Sequence, residues 1–249
     1  MNNGKVCISV CAKTSGEFVE KIKHAAQIAD IVEARFDCIS GPLPESLFSE
    51  LRKLSDSLAG KLLVTYRPRT EGGNYDLSPA QRIEFWTNSG VSELADWADL
   101  EEDVSEEVLT GSFRNALGSI IKSHHNFVGS PEDIDEVFER LSINEEDISK
   151  IAVHADRITD CIPVWRILKT AISAGKRMIP IAMGEAGKWT RILGLAYGSP
   201  LAYASLEEGI ETAPGQISAR DLLDVYRVKD LDTETAIYGI IGNPVSHSL

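Results

Sequence analysis

The sequence has no long hydrophobic run and no excess of basic residues. Its 249 residues contain 25 Lys and Arg against 38 Asp and Glu, so the formal net charge is −13. This balance argues against a nucleic-acid-binding protein, because such proteins normally present a basic face. No window approaches the roughly 18 apolar residues of a membrane span, and residues 1–17 lack the basic leader of a signal peptide. We therefore expect a cytoplasmic protein.

Cysteine is scarce, and two nucleotide-binding fingerprints are missing. The four cysteines, Cys7, Cys11, Cys38 and Cys161, form no CxxC motif and no zinc-finger spacing with histidine. We therefore expect reduced, partly buried thiols and no metal site. No GxGxxG follows the first strand-like run and no GxxxxGK[ST] occurs, which disfavours nucleotide-binding folds.

What the sequence does contain is a regular alternation of short β-branched runs and amphipathic stretches. The runs predict eight strands: Lys5–Ala12, Ile31–Asp37, Lys61–Pro68, Leu94–Glu101, Ser119–Phe127, Ile148–Ala155, Arg177–Gly184 and Pro200–Leu206. The stretches predict eight helices: Glu17–Ile28, Leu47–Leu58, Pro79–Ser89, Ser105–Leu117, Pro131–Leu141, Ile158–Ala174, Trp189–Tyr197 and about Ala219–Val228. Strict βα order implies a parallel sheet. Eight units within residues 1–228 predict a (β/α)8 TIM barrel, with a doubly wound open sheet as the alternative.

The alternation of side chains along each strand predicts which of them point into the barrel. Successive side chains face opposite ways, and the apolar face should pack on the helices. The other face of four strands carries polar or ionisable groups: Ser9, Glu33, Arg35, Arg67 and Lys150, to which His154 could be added. A structural barrel fills its interior with Val, Ile and Leu, so these groups indicate a functional pocket. The alternatives are an assignment that is off by one residue, or charges at strand ends in water.

Two of these strands carry groups that could do chemistry. Lys150 lies in an apolar run, where an amine is either a salt-bridge partner or a nucleophile that forms a Schiff base with a carbonyl; taken alone, the structural role is the more common. His125 ends the fifth strand, on one face with Ile121 and Ser123. If that is the inner face, His125 lies one strand away from Lys150 and can transfer protons near neutral pH. His124 should then face outward.

The loop after the third predicted strand carries Arg67 and Glu71, followed by Gly72 and Gly73. Loops after barrel strands build the catalytic face, and paired glycines permit close approach of the backbone to a ligand. A solvated turn would give the same pattern.

The last two βα units add three further candidates. Arg191 follows the seventh strand, where it could pair with a substrate carboxylate or be an ordinary surface arginine. Thr212 and Gln216 flank a Pro-Gly turn after the eighth strand. That segment is either a simple turn or a mobile loop that brings a hydroxyl and an amide over the pocket.

Taken together and in order, these segments resemble type I 3-dehydroquinate dehydratases. The resemblance covers about residues 5–228 and rests on Glu33–Arg35, Thr65–Arg67 with Glu71–Gly73, Ser123–Phe127, Lys150–Ala152, Met183–Gly184 with Thr190–Arg191, and Ala213–Gln216. It implies a (β/α)8 barrel, usually dimeric, that converts 3-dehydroquinate to 3-dehydroshikimate in the shikimate pathway. It also implies that no metal or organic cofactor is needed.

The resemblance gives each candidate a role. Lys150 would form a Schiff base with the substrate ketone, His125 would act as general acid and base, and Glu71 would orient His125. The other candidates would hold the substrate or close over it: Glu33, Arg35, Arg67, Arg191, Thr212, Gln216 and, as a weaker candidate, Ser9. There are two departures. Thr212 stands where the family often has Ser and keeps the hydroxyl, whereas Asn126 stands where many bacterial members have Asp and cannot favour the imidazolium as a carboxylate would.

Residues 229–249 break the pattern. Residues 229–235 are polar and predict a linker, and Ala236–Ile241 predicts a new strand. The segment Ile237–Leu249 resembles the opening of shikimate dehydrogenase, in which Ser248 would contact the substrate. The chain is thus similar to the first half of a fused dehydratase–dehydrogenase such as plants carry. We expect no dehydrogenase activity without a nicotinamide-binding domain, and disorder from about Asp230, because a lone strand has no sheet to join.

Two alternatives to the dehydratase assignment remain open at this point. A class I aldolase would share a Schiff-base lysine but would not need Arg67, Arg191 and the loop after the eighth strand together. A barrel that only binds a ligand or partner would form no covalent adduct. Assays for carbon–carbon cleavage, dehydration and adduct formation separate the three.

Overall fold

The computed structural model describes residues 2–58, 61–88, 91–109, 114 and 117–238, and a parallel sheet runs through them. Its strands are β1 (Lys5–Val10), β2 (Ile31–Arg35), β3 (Leu62–Thr65), β4 (Trp97–Glu101), β5 (Ser119–Asn126), β6 (Ile148–His154), β7 (Arg177–Met183), β8 (Leu201–Ser205) and β9 (Ile217–Ser218). The order is β7-β6-β5-β4-β3-β2-β1-β8-β9. All eight predicted strands are present, most of them shortened at their ends.

The strands curl into a barrel that is not fully closed by hydrogen bonds. Side chains from β1, β2, β3, β5, β6, β7 and β8 meet in one interior cluster, among them Cys7, Ile31, Ile121 and Ile179. Only a curved sheet can bring seven strands to one such cluster. Within the described residues no ladder joins β7 to β8. The predicted α/β barrel class is confirmed, with the sheet forming a half-barrel.

Seven α-helices cover the outside of the sheet in the described residues. They are α1 (Ser15–Ala25), α2 (Glu45–Leu58), α3 (Pro79–Asn88), α4 (Glu102–Val108), α5 (Ile134–Leu141), α6 (Ile162–Ser173) and α7 (Lys188–Leu193). The apolar period explains them: in α5 the buried residues are Ile134, Val137, Phe138 and Leu141, one stripe of a helix. Thr14 caps α1 by accepting a hydrogen bond from Glu17 N at 3.4 Å.

Several predicted helices differ in extent from the observed ones. The stretch 158–174 divides into a 3₁₀ turn, Ile158–Cys161, and α6, because Pro163 suits only the first turn of an α-helix. The stretch 189–197 likewise divides into α7 and a 3₁₀ turn, Leu195–Tyr197. Most of the predicted end of the fourth helix, 110–117, lies outside the described residues. The last predicted helix contains a π-helical segment, Asp221–Val225.

The two faces of each strand have separate cores, as the alternation predicts. Val6, Ile8 and Val10 of β1 pack with the helices in the outer core. Cys7, between them, belongs to the inner cluster with Leu63 of β3. The polar residues of the inner face therefore lie above an apolar floor inside the barrel.

Two of the four cysteines form a disulfide, so the expectation of reduced thiols is wrong for this pair. Cys11 follows β1 and Cys38 lies in a 3₁₀ turn after β2, and a disulfide joins them. The cause is the pairing of β1 with β2: adjacent parallel strands end side by side, which brings the two Cα atoms to 5.3 Å, within disulfide range. Cys7 and Cys161 are free and buried.

Residues 229–238 are tied to the barrel at their beginning. Lys229 Nζ pairs with Asp30 Oδ2 at 2.6 Å, and Asn2 Nδ2 donates to the carbonyl oxygens of Val228 and Leu231. Residues 236–238 belong to no strand, and the rest of the predicted strand, with Ser248, lies outside the described residues. In the part of the chain that is described, no helix is long and apolar enough to cross a membrane.

Candidate active site

One pocket opens at the carboxyl ends of the strands, where barrel enzymes build their sites. It brings together all ten residues that the sequence singles out: Ser9, Glu33, Arg35, Arg67, Glu71, His125, Lys150, Arg191, Thr212 and Gln216. His154, the other residue considered for the inner face, does not line the pocket; its Nε2 lies 3.0 Å from Asp156 Oδ1. Among the described residues, no group of three or more His, Cys, Asp or Glu is placed to hold a metal ion.

Lys150 lies at the centre of the pocket on β6, with 4% of its surface exposed. Its Nζ is 2.7 Å from Asp99 Oδ2 and 4.2 Å from the centroid of the Tyr203 ring. In the register of β5 with β6, Ser123 pairs with Lys150 and His125 with Ala152. The inner-face assignment of both strands is therefore confirmed, and His125 lies one strand away from Lys150.

Asp99 links Lys150 to the neighbouring cation. The carboxylate is fully buried on β4, and its Oδ2 also lies 2.8 Å from Arg67 Nη2. Ser123 Oγ donates to Oδ1 at 2.5 Å. Burial alone would raise the pKa of Asp99, but Arg67 and Lys150 outweigh it and hold that pKa well below its usual range. Asp99 is therefore ionised at neutral pH.

His125 is held between an acid and a cation. Its Nδ1 lies 3.0 Å from Glu71 Oε2 and 2.7 Å from Arg67 Nη1. Burial, with the positive charges of Arg67 and Lys150, lowers the pKa of His125 well below its ordinary value. Burial and the negative charge of Glu101 raise the pKa of Glu71 to about 8, against the opposing effect of Arg67. The imidazole is therefore neutral at rest and can accept a proton.

Two buried groups on β2 have partners within the protein. Arg35 makes a bidentate pair with Asp37, with both N···O distances 2.8 Å, and its Nη2 also donates to Gly72 O at 3.3 Å. Glu33 Oε1 accepts a hydrogen bond from Thr65 Oγ1 at 2.8 Å. These pairs hold the β2 side chains in place at the pocket wall.

Arg191 differs from the other pocket arginines because the described residues offer it no carboxylate. It is 3% exposed, and its contact is a 3.4 Å hydrogen bond from Nη2 to Pro214 O. Its Nε has no hydrogen-bond partner in the described part of the chain. Burial, unopposed by a negative charge, lowers the pKa of Arg191 to about 10. Arg191 is a buried cation that lacks a counter-ion.

The segment after β8 lies over the pocket and is hydrogen-bonded to β1. Gln216 Oε1 accepts from Thr212 N at 2.8 Å and from Thr212 Oγ1 at 3.1 Å. Gln216 Nε2 donates to Ser9 Oγ at 3.4 Å. A hydroxyl and an amide are thus fixed at the pocket mouth, next to Ser9.

The glycine pair after Glu71 allows close packing of the protein on itself. Gly72 has φ +86°, and a Cβ there would lie 2.3 Å from the Phe127 ring. A Cβ on Gly73 would lie 1.9 Å from the Arg67 carbonyl oxygen. The turn can therefore fold back against β3 and hold Glu71 against His125. The close approach expected for a ligand is, in the structure, an approach to protein atoms.

Asp99 and Glu101 are buried charges that the sequence reasoning misses. They alternate with Ala98 and Leu100 on β4 and lie on its inner face, so the alternation applied to four other strands would have found them. The neighbours of His125 behave differently. His124 is partly exposed, 3.9 Å from Glu102, and Asn126 Oδ1 accepts from the backbone of the following turn.

Comparison with known proteins identifies the family. The model of the type I 3-dehydroquinase family matches residues 6–233. A bifunctional 3-dehydroquinate dehydratase/shikimate dehydrogenase of Arabidopsis thaliana, described as chloroplastic, is 32% identical over 252 residues; the match covers 99% of this chain and 41% of that protein. A 3-dehydroquinate dehydratase of Methanococcus maripaludis strain C7 is 33% identical, over 90% of this chain and 99% of that protein. The chain thus spans about two fifths of the plant relative.

Solved structures agree with this result. The 3-dehydroquinate dehydratase of Aquifex aeolicus superposes with a TM-score of 0.71 at 29% identity, over 90% of this chain and 98% of that one. The type I enzyme of Clostridium difficile gives a TM-score of 0.78 over 93% and 95%; at 24% identity it supports the fold alone. The chain therefore belongs to the type I 3-dehydroquinate dehydratase family and has the hydro-lyase activity of that family in the shikimate pathway.

Proposed function

We propose that this chain dehydrates 3-dehydroquinate to 3-dehydroshikimate through a Schiff base on Lys150, with His125 as general acid and base. The observation that carries the proposal is the placement of a buried amine and a neutral imidazole on the inner faces of adjacent strands, β6 and β5. An amine next to a proton acceptor is the arrangement that covalent carbonyl chemistry needs.

The reaction follows from these two groups. The Lys150 amine attacks the ketone carbon, and the resulting carbinolamine loses water to give an iminium. His125 takes the proton from the adjacent carbon, and the electron pair of that C–H bond moves into the C=N system to give an enamine. The enamine expels the hydroxyl on the next carbon, which leaves as water with the proton from His125. Hydrolysis of the iminium then releases the product and restores the amine.

Glu71 sets the tautomer of His125. Below pH 8 the Glu71 carboxyl is largely protonated, since its pKa is about 8, and can donate to Nδ1 at 3.0 Å. Above that pH the carboxylate accepts from Nδ1–H and leaves Nε2 free to take the substrate proton. We therefore infer that Glu71 is a positioning residue, and that its ionisation favours the basic tautomer.

The substrate carboxylate is assigned to Arg191, since that cation has no negative partner in the described residues. Arg35 and Arg67 already pair with Asp37 and Asp99, so they are left to hold substrate hydroxyls. Glu33 and Ser9 add an acceptor and a hydroxyl to the same wall. Thr212 and Gln216 close over the bound substrate from the loop after β8.

Borohydride trapping tests the mechanism. The enzyme is incubated with 3-dehydroquinate and borohydride, and the adduct is located by intact mass and peptide mapping, while the enone product is followed by its absorbance. We expect one adduct on Lys150, absent from Lys150→Ala. Lys122→Ala is the matched control: Lys122 faces Asp147 outside the pocket, so this variant should keep the adduct. Folded enzyme without adduct and without enone would sink the proposal and favour a binding-only barrel; carbon–carbon cleavage would favour an aldolase.

We propose that residues 1–228 form the dehydratase barrel and residues 229–249 a linker with the first strand of a shikimate dehydrogenase-like domain. In support, the family model stops at residue 233, whereas the bifunctional plant relative matches over 99% of the chain. The printed contacts of residues 232–235 are among themselves. A stop codon after Thr235 should therefore leave kcat and Tm unchanged; a loss of either would show that the tail belongs to the barrel.

We propose, finally, that the enzyme is a homodimer located in the cytoplasm, as the family resemblance implies. Light scattering on the purified chain tests the dimer, and a monomer at micromolar concentration would contradict it. Fractionation followed by thiol alkylation tests the location. Cytosolic reductants open most disulfides, so a cytoplasmic enzyme should show Cys11 and Cys38 at least partly alkylated, although the structure joins them.

A further inference from the structure

The carboxylate that touches the Lys150 amine is that of Asp99, a residue to which the proposed reaction gives no role. Its Oδ2 lies 2.7 Å from Nζ, Arg67 Nη2 lies 2.8 Å from the same oxygen, and Ser123 Oγ holds Oδ1. Because both oxygens are held, the carboxylate cannot turn away when Lys150 reacts. It will face whatever nitrogen stands at this position.

The other groups around this pair do not replace Asp99. The titratable and charged groups that act on it are Cys7 on β1, Glu33 on β2, Arg67 on β3, Glu101 on β4, His125 on β5, Tyr203 on β8, and Glu71 in the loop after β3. Burial raises the pKa of Cys7 and of Tyr203 well above their ordinary values, so both are neutral. In the described residues, Asp99 is the hydrogen-bond partner of Nζ.

We propose that Asp99 is the counter-ion of the Schiff base: it pairs with the Lys150 ammonium in the free enzyme and keeps the iminium nitrogen protonated after the substrate has condensed. This inference rests on the proposed function, since it needs Lys150 to be the nucleophile. It deepens that function by assigning the group that maintains the positive charge on which the carbon–hydrogen bond cleavage depends.

The charge balance of the condensation supports this assignment. An ammonium and a ketone give an iminium and water: two protons leave the nitrogen with the ketone oxygen, and one N–H and the positive charge remain. The site therefore holds one cation before and after the step, against the same fixed carboxylate. A cationic iminium accepts the electron pair when His125 removes the adjacent proton, whereas a neutral imine is a poor acceptor. A buried cation without its anion would lose its proton at lower pH.

The test is the pH dependence of kcat and kcat/KM in Asp99→Asn, compared with the wild-type enzyme. A lost charge partner shifts a titration by about one to three pH units. We expect the alkaline limb of kcat to move to lower pH by that amount, and kcat at pH 8 to fall by roughly tenfold or more. Asp99→Glu keeps the charge and should restore the position of the limb. A purely structural role of Asp99 would lower the rates without moving the limbs.

Two further variants complete the experiment. Glu101→Gln removes another buried carboxylate of β4, one that pairs with Arg67 and Arg82 but does not touch Lys150, and should leave the alkaline limb in place. Ser123→Ala removes the hydrogen bond to Asp99 Oδ1, strengthens its hold on the nitrogen, and should move the limb to higher pH. Ser123→Ala gives the answer if Asp99→Asn does not fold.

The outcomes separate the two proposals. Wild-type enzyme that forms no borohydride adduct with 3-dehydroquinate overturns the Schiff-base mechanism and the counter-ion together. Wild-type enzyme that forms the adduct, with limbs unmoved in Asp99→Asn or in Ser123→Ala, overturns the counter-ion alone. An acidward shift in Asp99→Asn with an unshifted Glu101→Gln supports both.

Discussion

Replacing Arg191 by Met should make the free enzyme more stable and substrate binding weaker. Burial lowers the pKa of Arg191 to about 10. At about 1.4 kcal/mol per pKa unit, the fall from the ordinary arginine value corresponds to roughly 3 kcal/mol of unfavourable free energy in the fold. The side chain is 3% exposed, so solvent screening relieves little of this. Part of the gain is lost with the hydrogen bond to Pro214 O, and we expect a net increase of about 1–3 kcal/mol in the free energy of unfolding.

The sign of the pH dependence follows from the lowered pKa. A base whose pKa is lower in the fold destabilises the folded state wherever it is charged, and that effect disappears as pH rises through the folded-state pKa. The wild-type enzyme should therefore be less stable than Arg191→Met throughout the neutral range. The difference between the two should narrow above pH 10.

Arg35→Met is the matched control. Both arginines are buried and line the same pocket, but Arg35 makes a bidentate pair with Asp37. Its removal leaves a buried carboxylate unpaired, which should destabilise the fold by roughly 3–5 kcal/mol. Urea unfolding at pH 7 should thus give opposite signs for the two variants. An Arg191→Met protein less stable than the wild type would refute the reasoning, because Arg191 would then have a stabilising partner.

Catalysis should change in the opposite direction to stability. If Arg191 binds the substrate carboxylate, Arg191→Met loses a charge-assisted interaction worth about 3 kcal/mol and raises KM by roughly 100-fold. Shikimate, which carries the same carboxylate, should raise the Tm of the wild-type enzyme by mass action and leave that of the variant unchanged. Equal stabilisation of both proteins would place the carboxylate elsewhere.

Three further predictions concern the framework of the site. Cys38→Ser opens a disulfide that spans 27 residues and should lower the free energy of unfolding by about 3–4 kcal/mol; an unfolding curve identical to that of the wild type would mean that the bond is not formed in solution. Glu71→Gln imitates the protonated carboxyl, so its kcat loss should be small at pH 6.5 and grow above pH 8; a loss that is constant with pH would contradict the role given to the His125 tautomer. Gly73→Ala places a Cβ 1.9 Å from the Arg67 carbonyl oxygen and should lower kcat and Tm together; normal values would show that the turn can move aside.

The sequence predicts the site where alternation alone decides the outcome. Ser9, Glu33 and Lys150 point inward because each lies on the polar face of a strand with an apolar outer face, and the structure places them at the pocket. Asp99 obeys the same rule within Trp97–Glu101 and could have been found by it. The division of the stretch 158–174 at Pro163 was also open to sequence reasoning, because proline suits the first turn of a helix.

Pairing between distant residues could not be predicted in the same way. The disulfide depends on the turns that follow β1 and β2, which set the distance of 5.3 Å between the two Cα atoms. The choice of Asp99 as the partner of Lys150 joins residues 51 positions apart, through the packing of β4, β5 and β6. Composition and periodicity contain no information on such choices, because several carboxylates in the chain could have satisfied the same amine.

The distribution of these partners divides the charges of the pocket into two classes. Arg35, Arg67 and Lys150 face buried carboxylates, and their positions are therefore fixed before any substrate arrives. Arg191 faces none in the described residues, so the fold bears the cost of its charge until an anion binds. The substrate carboxylate removes this cost, and an analogue without a carboxylate cannot. Selectivity for the acid over its amide should therefore arise from Arg191 and disappear in Arg191→Met, whereas variants of the paired cations should weaken acid and amide alike.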